Sequence, residues 1–114
     1  MLLHATRYVL TIVLTIKKVK MQAVVIIKDK SQQYEGLRTS LGLLLYGVPV
    51  QMFVLDHEIE NMDEAYRDNM EFIDEMAGER YSNNSTNVER YGFQHRTLTE
   101  MAALIDAAEV VIPF

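Results

Sequence analysis

From Gln22 onward the chain switches regularly between continuous apolar runs and runs with helical spacing. Gln22–Lys28 (QAVVIIK) is β-branched throughout, the signature of a strand buried on both faces. A polar turn, Asp29–Gln33, follows it. Tyr34, Leu37, Leu41, Leu44 and Leu45 then recur on one side of a helix, which Gly47 closes and Pro49 stops. Val50–Leu55 is a second buried strand ending in Asp56-His57. Asn61 and Glu64 make a capping pair, with Asp63 in the positive first turn of a helix whose apolar side is Tyr66, Met70, Ile73 and Met76, with or without Phe72, and Gly78 ends it. Arg80–Ser82 is a short third strand. Asn83–Tyr91 reads as a short helix ended by Gly92. Thr97 with Glu100 forms a capping box for a last helix lined by Leu98, Met101, Leu104, Ile105 and Ala108. Val110–Phe114 is a final strand. The order β-α-β-α-β-α-α-β predicts a small doubly wound α/β domain over 21–114, a parallel sheet with helices on both faces.

Residues 1–20 differ from the rest. They carry Arg7, Lys17, Lys18 and Lys20 and no acid, so that a chain of net charge −5 leaves −9 on residues 21–114. The apolar run Tyr8–Ile16 is far shorter than the roughly 20 residues of a membrane-spanning helix. Its lysines follow the run instead of preceding it, against the pattern of a signal peptide. Lys17–Met21 back-translates to AAA AAG GTG AAA ATG, which contains a ribosome-binding sequence upstream of a start codon. Residues 1–20 are accordingly expected to be translated leader, with the domain beginning at Met21. The competing reading makes Tyr8–Ile16 an extra strand.

The acidic balance argues against nucleic acid and anionic membrane as partners, since both need a basic face. The chain has no cysteine, which removes disulfides, thiolate metal sites and cysteine nucleophiles together and fits a cytoplasmic protein. Asp56–Glu79 holds ten acids against Arg67 alone. That stretch is either a solvated face or a docking face for a basic partner.

Ligands of open α/β sheets bind beyond the carboxyl ends of the strands. The residues there are Asp29, Lys30 and Ser31, then Asp56 and His57, then Asn83, Asn84 and Ser85. Asp29 and Asp56 have the placement of carboxylates that gather a divalent metal, and equally that of turn and helix caps. His57 is a candidate acid–base group or, more simply, a solvated loop residue. His95 precedes a helix cap. Asn83–Ser85 at a helix start suits an anion, or does no more than cap the helix. No two histidines stand at metal-ligand spacing, and Gly36, Gly42 and Gly47 form no phosphate loop, so neither a metal nor a cofactor is expected.

The ordered set Tyr34-Glu35-Gly36-Leu37-Arg38, Leu41–Gly47, Val50–Asp56, Val88-Glu89-Arg90-Tyr91-Gly92, Leu98–Ile105 and Ala108–Phe114 resembles the DsrE/DsrF-like family of sulfur-relay proteins. The resemblance implies a doubly wound domain that assembles into trimers, hexamers or hetero-hexamers. It also implies a persulfide-carrying Cys eight residues before the glycine that ends the short helix. Counted back from Gly92, that position is Asn84. A carboxamide cannot form a persulfide, which needs a thiolate. The implied role is a non-catalytic member, similar to the cysteine-free subunits of the TusBCD complex, partnered by itself or by a Cys-containing DsrE-like subunit. The alternatives are a homo-oligomeric module binding a small anion or nucleotide between Lys30, His57 and Asn83–Ser85, and an enzyme using Asp56 and His57.

Overall fold

The computed structural model describes residues 22–114; the expectations for residues 1–20 and for a start at Met21 lie outside the described residues. Five parallel strands stand in the order β4-β3-β2-β1-β5: β1 is Ala23–Ile27, β2 Val50–Val54, β3 Glu79–Ser82, β4 Gln94–His95 and β5 Val110–Pro113. The helices between them are α1 (Gln33–Leu45, entered through a 3-10 turn at Lys30–Gln32), α2 (Glu64–Glu75), α3 (Ser85–Tyr91) and α4 (Leu98–Ala107). From β1 to β4 the chain steps one strand at a time in one direction. α4 then carries it back across the sheet to the far side of β1. Parallel strands need such crossovers, and their right-handedness sends helices of opposite travel to opposite faces.

The two faces follow from the side-chain alternation of the strands. Ala23, Val25 and Ile27 of β1 and Val50, Met52 and Val54 of β2 pack with Leu37 and Leu44 of α1, with Tyr66, Met70 and Ile73 of α2, and with Ile59 and Phe93. Val24, Phe53 and Tyr81 point the other way, against Met101 of α4. The predicted doubly wound α/β architecture is therefore present, unequally: three helices cover one face and one helix covers the other.

β5 forms one edge of the sheet. The backbone N–H groups of Val110 and Phe114 turn inward to Gln22 and Ile26 of the β1 side, so those of Val111 and residue 113 turn outward. Residue 113 is proline and has no N–H, which blunts the open edge where an unpaired donor would stand.

Four local expectations are corrected. Asp63, not Asn61, caps α2: its carboxylate accepts the Tyr66 N–H at 2.7 Å, and Asn61 sits in the left-handed region at φ 55°. The left-handed residue after α2 is Ala77 (φ 60°), not Gly78, which is instead pressed between Ile73 and Leu44. The short helix begins at Ser85, because Asn83 and Asn84 are spent before it. β4 went unpredicted, since two exposed residues carry no alternation to read. The α4 box is present as expected, with Thr97 and Glu100 bonded reciprocally, although Leu98 faces outward and Met101 alone is fully buried.

Candidate functional site at the carboxyl ends of the strands

The sheet delivers Asp29, Asp56-His57 and Asn83-Asn84 to one edge, from β1, β2 and β3 in turn. Each of these residues is engaged locally. Asp29 caps the 3-10 turn, its Oδ1 accepting the Ser31 backbone N–H at 2.9 Å and the Ser31 hydroxyl at 2.7 Å. Those two bonds hold its carboxyl below the ordinary carboxylate range. Asp56 adopts the left-handed region (φ 64°) and is clasped by Asn83 in both directions. Asn84 caps α3, accepting the Asn87 N–H on Oδ1 at 3.1 Å while its own N–H donates to Ser82 Oγ at 3.1 Å. Ser85 is the exposed first residue of that helix.

His57 departs from its expected solvated state. It is buried, with Nδ1 2.6 Å from the Leu55 carbonyl. A carbonyl only accepts, so Nδ1 carries a proton and donates it to that bond. Nε2 is itself buried and meets no hydrogen-bond partner among the described residues. Asp56 faces Asn83 and His57 faces Leu55, so the two side chains that an acid–base mechanism would pair are turned to separate tasks.

Beneath these residues lies a polar network that sequence reasoning missed. Asn87 is fully buried on α3. Its Oδ1 accepts the Ile59 N–H at 2.9 Å, and its Nδ2 donates to the His57 carbonyl at 2.9 Å and to Ser82 Oγ at 3.1 Å. Ser82 Oγ donates in turn to the Val54 carbonyl at 2.8 Å, so its hydroxyl hydrogen and both its lone pairs are used. Gln33, at the start of α1, holds the same β2–α2 loop from the other side, donating to the Glu58 carbonyl at 3.2 Å and accepting the Glu60 N–H at 3.1 Å. Two amides on two helices thus pin the loop that Ile59 anchors in the core. The available signal was phase: Gln33 shares the helical face of Leu37 and Leu44, which is buried.

Lys30 does not join His57 and the Asn83–Ser85 helix start as expected. Its ammonium pairs with Glu60 at 3.4 Å, both side chains more than half exposed, a pair worth little on its own. Lys30 and Ser31 instead border a cleft of about 510 Å³ between the start of α1 and the β2–α2 loop, walled by Tyr34, Tyr66, Glu60 and Asp63. The Tyr34 and Tyr66 rings lie 6.2 Å apart at 51°. The Tyr66 hydroxyl is buried without a partner among the described residues, and its burial pushes its ionisation upward. Nowhere among the described residues do three His, Asp or Glu side chains converge as a metal site would require. Among them, no helix is long and apolar enough to cross a membrane.

The arrangement beneath the strand ends is suited to rigidity. Its carboxamides bond backbone groups, the Ser82 hydroxyl is saturated, and its one imidazole holds a carbonyl. In comparison with known proteins, no family model matches the chain, and neither a curated protein nor a solved structure matches it significantly.

Proposed function

We propose that this protein is a non-catalytic subunit of a sulfur-relay-type assembly, a DsrE/DsrF-like member that packs beside a Cys-bearing relative. The observation that carries the reading is at Asn84. The position to which the family resemblance assigns the persulfide Cys holds a carboxamide whose oxygen is already committed to the Asn87 N–H. A side chain so employed keeps the helix start in place and supplies no thiolate. The strand-end loops around it are braced by Asn87, Gln33 and the Asp56–Asn83 clasp, as suits a surface presented to a neighbour. In this reading the working partner supplies the sulfur chemistry.

The test is native mass spectrometry of the protein captured from its own host. A hetero-oligomer with a Cys-containing relative of similar size is the expected result. Oligomers of this chain alone would count against the reading.

A second reading rests on the Lys30–Tyr34–Tyr66 cleft, in which an aromatic wall and a cation stand together as a small nucleotide would require. In that case the protein is a self-sufficient binding module. A rise in melting temperature with a nucleotide or anion from a panel would support it, because a ligand that binds only the native state stabilises it.

A further inference from the structure

α2 and α3 flank a second cavity, of about 220 Å³, floored by Arg80 of β3. Arg80 is 9% exposed and fixed in place. Its Nε and Nη2 donate to the two oxygens of Asp74 at 2.8 Å each, and its Nη1 donates to the Tyr91 carbonyl at 2.8 Å. Its guanidinium carbon lies 4.8 Å from the centre of the Phe93 ring. Arg67 of α2 and Arg90 of α3 stand on the two banks, both exposed. Asp74 compensates Arg80, but Arg67 and Arg90 have no ion-pair partner among the described residues. Acids are not scarce: residues 21–114 hold 16 of them against seven Lys and Arg, and Glu71 lines the same cavity. Three of those seven cations converge here, and Arg67 is the sole cation of the acidic stretch Asp56–Glu79. With Glu71 and Asp74 counted, the lining carries a net +1 in a domain of net −9.

We propose that this cavity binds a small phosphate-bearing anion, held by Arg67 and Arg90 above the floor that Arg80 sets. A guanidinium presents paired N–H groups that match two oxygens of a phosphate. The donors of Arg80 are largely committed to Asp74 and Tyr91, so Arg80 supplies shape, and Arg67 and Arg90 supply the contacts. Like charges that share a groove repel one another, and an anion between them relieves that cost. Size limits the occupant. The cavity falls below the roughly 300–1,000 Å³ of sites that enclose drug-sized ligands, so it suits inorganic phosphate or the phosphate ester of a small alcohol better than a nucleotide. It shares no lining residue with the Lys30–Tyr34–Tyr66 cleft and none with the strand-end residues, so the proposal stands or falls independently of both functional readings.

The experiment titrates the full chain, isotope-labelled for NMR, with inorganic phosphate and separately with glycerol phosphate, chloride holding the ionic strength constant. Saturable shifts centred on the Arg67 and Arg90 side chains are expected. Tighter binding of the ester would identify an organic phosphate as the occupant, and tighter binding of inorganic phosphate the free anion. Arg67→Ala and Arg90→Ala should each weaken binding by about tenfold or more, as loss of a charge-assisted hydrogen bond does. Both residues are exposed, and an unchanged circular dichroism spectrum establishes that the variants fold. Glu71→Gln should tighten binding, a gain that damage to the fold cannot produce. Tyr34→Ala, in the other cleft, should leave the phosphate affinity unchanged; a loss there would assign the anion to that cleft and overturn the proposal. Binding that survives the double Arg67→Ala, Arg90→Ala variant would overturn it too, as would no saturable shift at millimolar phosphate.

Discussion

Asn83 holds Asp56 by two bonds at once: its Oδ1 accepts the Asp56 backbone N–H at 2.8 Å and its Nδ2 donates to Asp56 Oδ1 at 2.7 Å. The clasp ties the end of β3 to the end of β2 just where Asp56 turns into the left-handed region, which an Asp tolerates better than most residues. Asn83→Ala should cost about 1 kcal/mol, the net worth of such bonds at a surface. Asp56→Asn should be close to neutral, because the side-chain acceptor and the tolerance of positive φ both survive. Urea unfolding of the two variants checks the pair; an Asn83→Ala protein as stable as the parent would mean that water replaces the clasp without loss.

Asn87 is the more demanding position. Its side chain satisfies the Ile59 N–H and the His57 carbonyl, both at a fully buried site. Asn87→Leu leaves these groups and Ser82 Oγ short of partners, at about 1–3 kcal/mol for each one stranded. The loss expected is several kcal/mol, larger than for Asn84→Ala, which removes one cap bond worth about 1 kcal/mol. Chemical denaturation ranks the two. Hydrogen exchange should also show the Ile59 amide exposed selectively in the Asn87 variant.

That contrast shows what could be read before the structure. Apolar runs and helical spacing located β1, β2, β5 and the three longer helices, because burial of one stripe per element is written in residue type, whereas α3 was legible from its cap residues and Gly92. Among the buried polar residues, Gln33 shares the phase of a buried stripe, but Asn87 leaves no such trace. Asn87 lies in NNSTNVERY, where a solvated short helix would read the same way, and only the meeting of α3 with the β2–α2 loop makes it internal. His57 stands among acids in the sequence, yet the chain turns it inward to the Leu55 carbonyl. Lys30 and Asn83 follow β1 and β3, which β2 separates in the sheet, and Lys30 turns to Glu60; both are tertiary facts.

Two glycines of α1 should respond in opposite ways to the same change. A Cβ on Gly36 would run into the Ile27 side chain, with Cδ1 at 2.5 Å, and Ile27 is completely buried with little room to move. A Cβ on Gly42 meets nothing within 4 Å. Gly42→Ala should stabilise by about 0.5–1 kcal/mol, the helix propensity of alanine over glycine. Gly36→Ala gains the same propensity and loses more to overpacking, about 1–3 kcal/mol. Thermal unfolding should therefore rise for Gly42→Ala and fall for Gly36→Ala. A rise for both would mean that α1 can lift from β1 at small cost.

The α4 capping box provides a pH-dependent term of known sign. Glu100 accepts the Thr97 backbone N–H at 3.1 Å, and the Thr97 hydroxyl accepts the Glu100 N–H at 3.2 Å. The Thr97 backbone N–H first, and the Thr97 side chain second, hold the Glu100 carboxyl below its ordinary value of 4.5. A carboxyl depressed in the folded state binds its proton less readily there than in the unfolded chain. Its contribution is thus fully present above 4.5, declines as the pH falls below that value, and is lost once the folded carboxyl itself protonates. Thr97→Ala, which removes the hydroxyl half of the box, should move the Glu100 titration upward, towards 4.5, in a carboxyl-detected NMR experiment. Glu100→Gln keeps an oxygen for the Thr97 N–H but has nothing to titrate, so its melting temperature should fall less steeply between pH 5 and pH 3 than that of the parent. Parallel curves for parent and Glu100→Gln would show that the box forms equally well with a neutral acid, and that the loss of stability on acidification arises from other carboxylates.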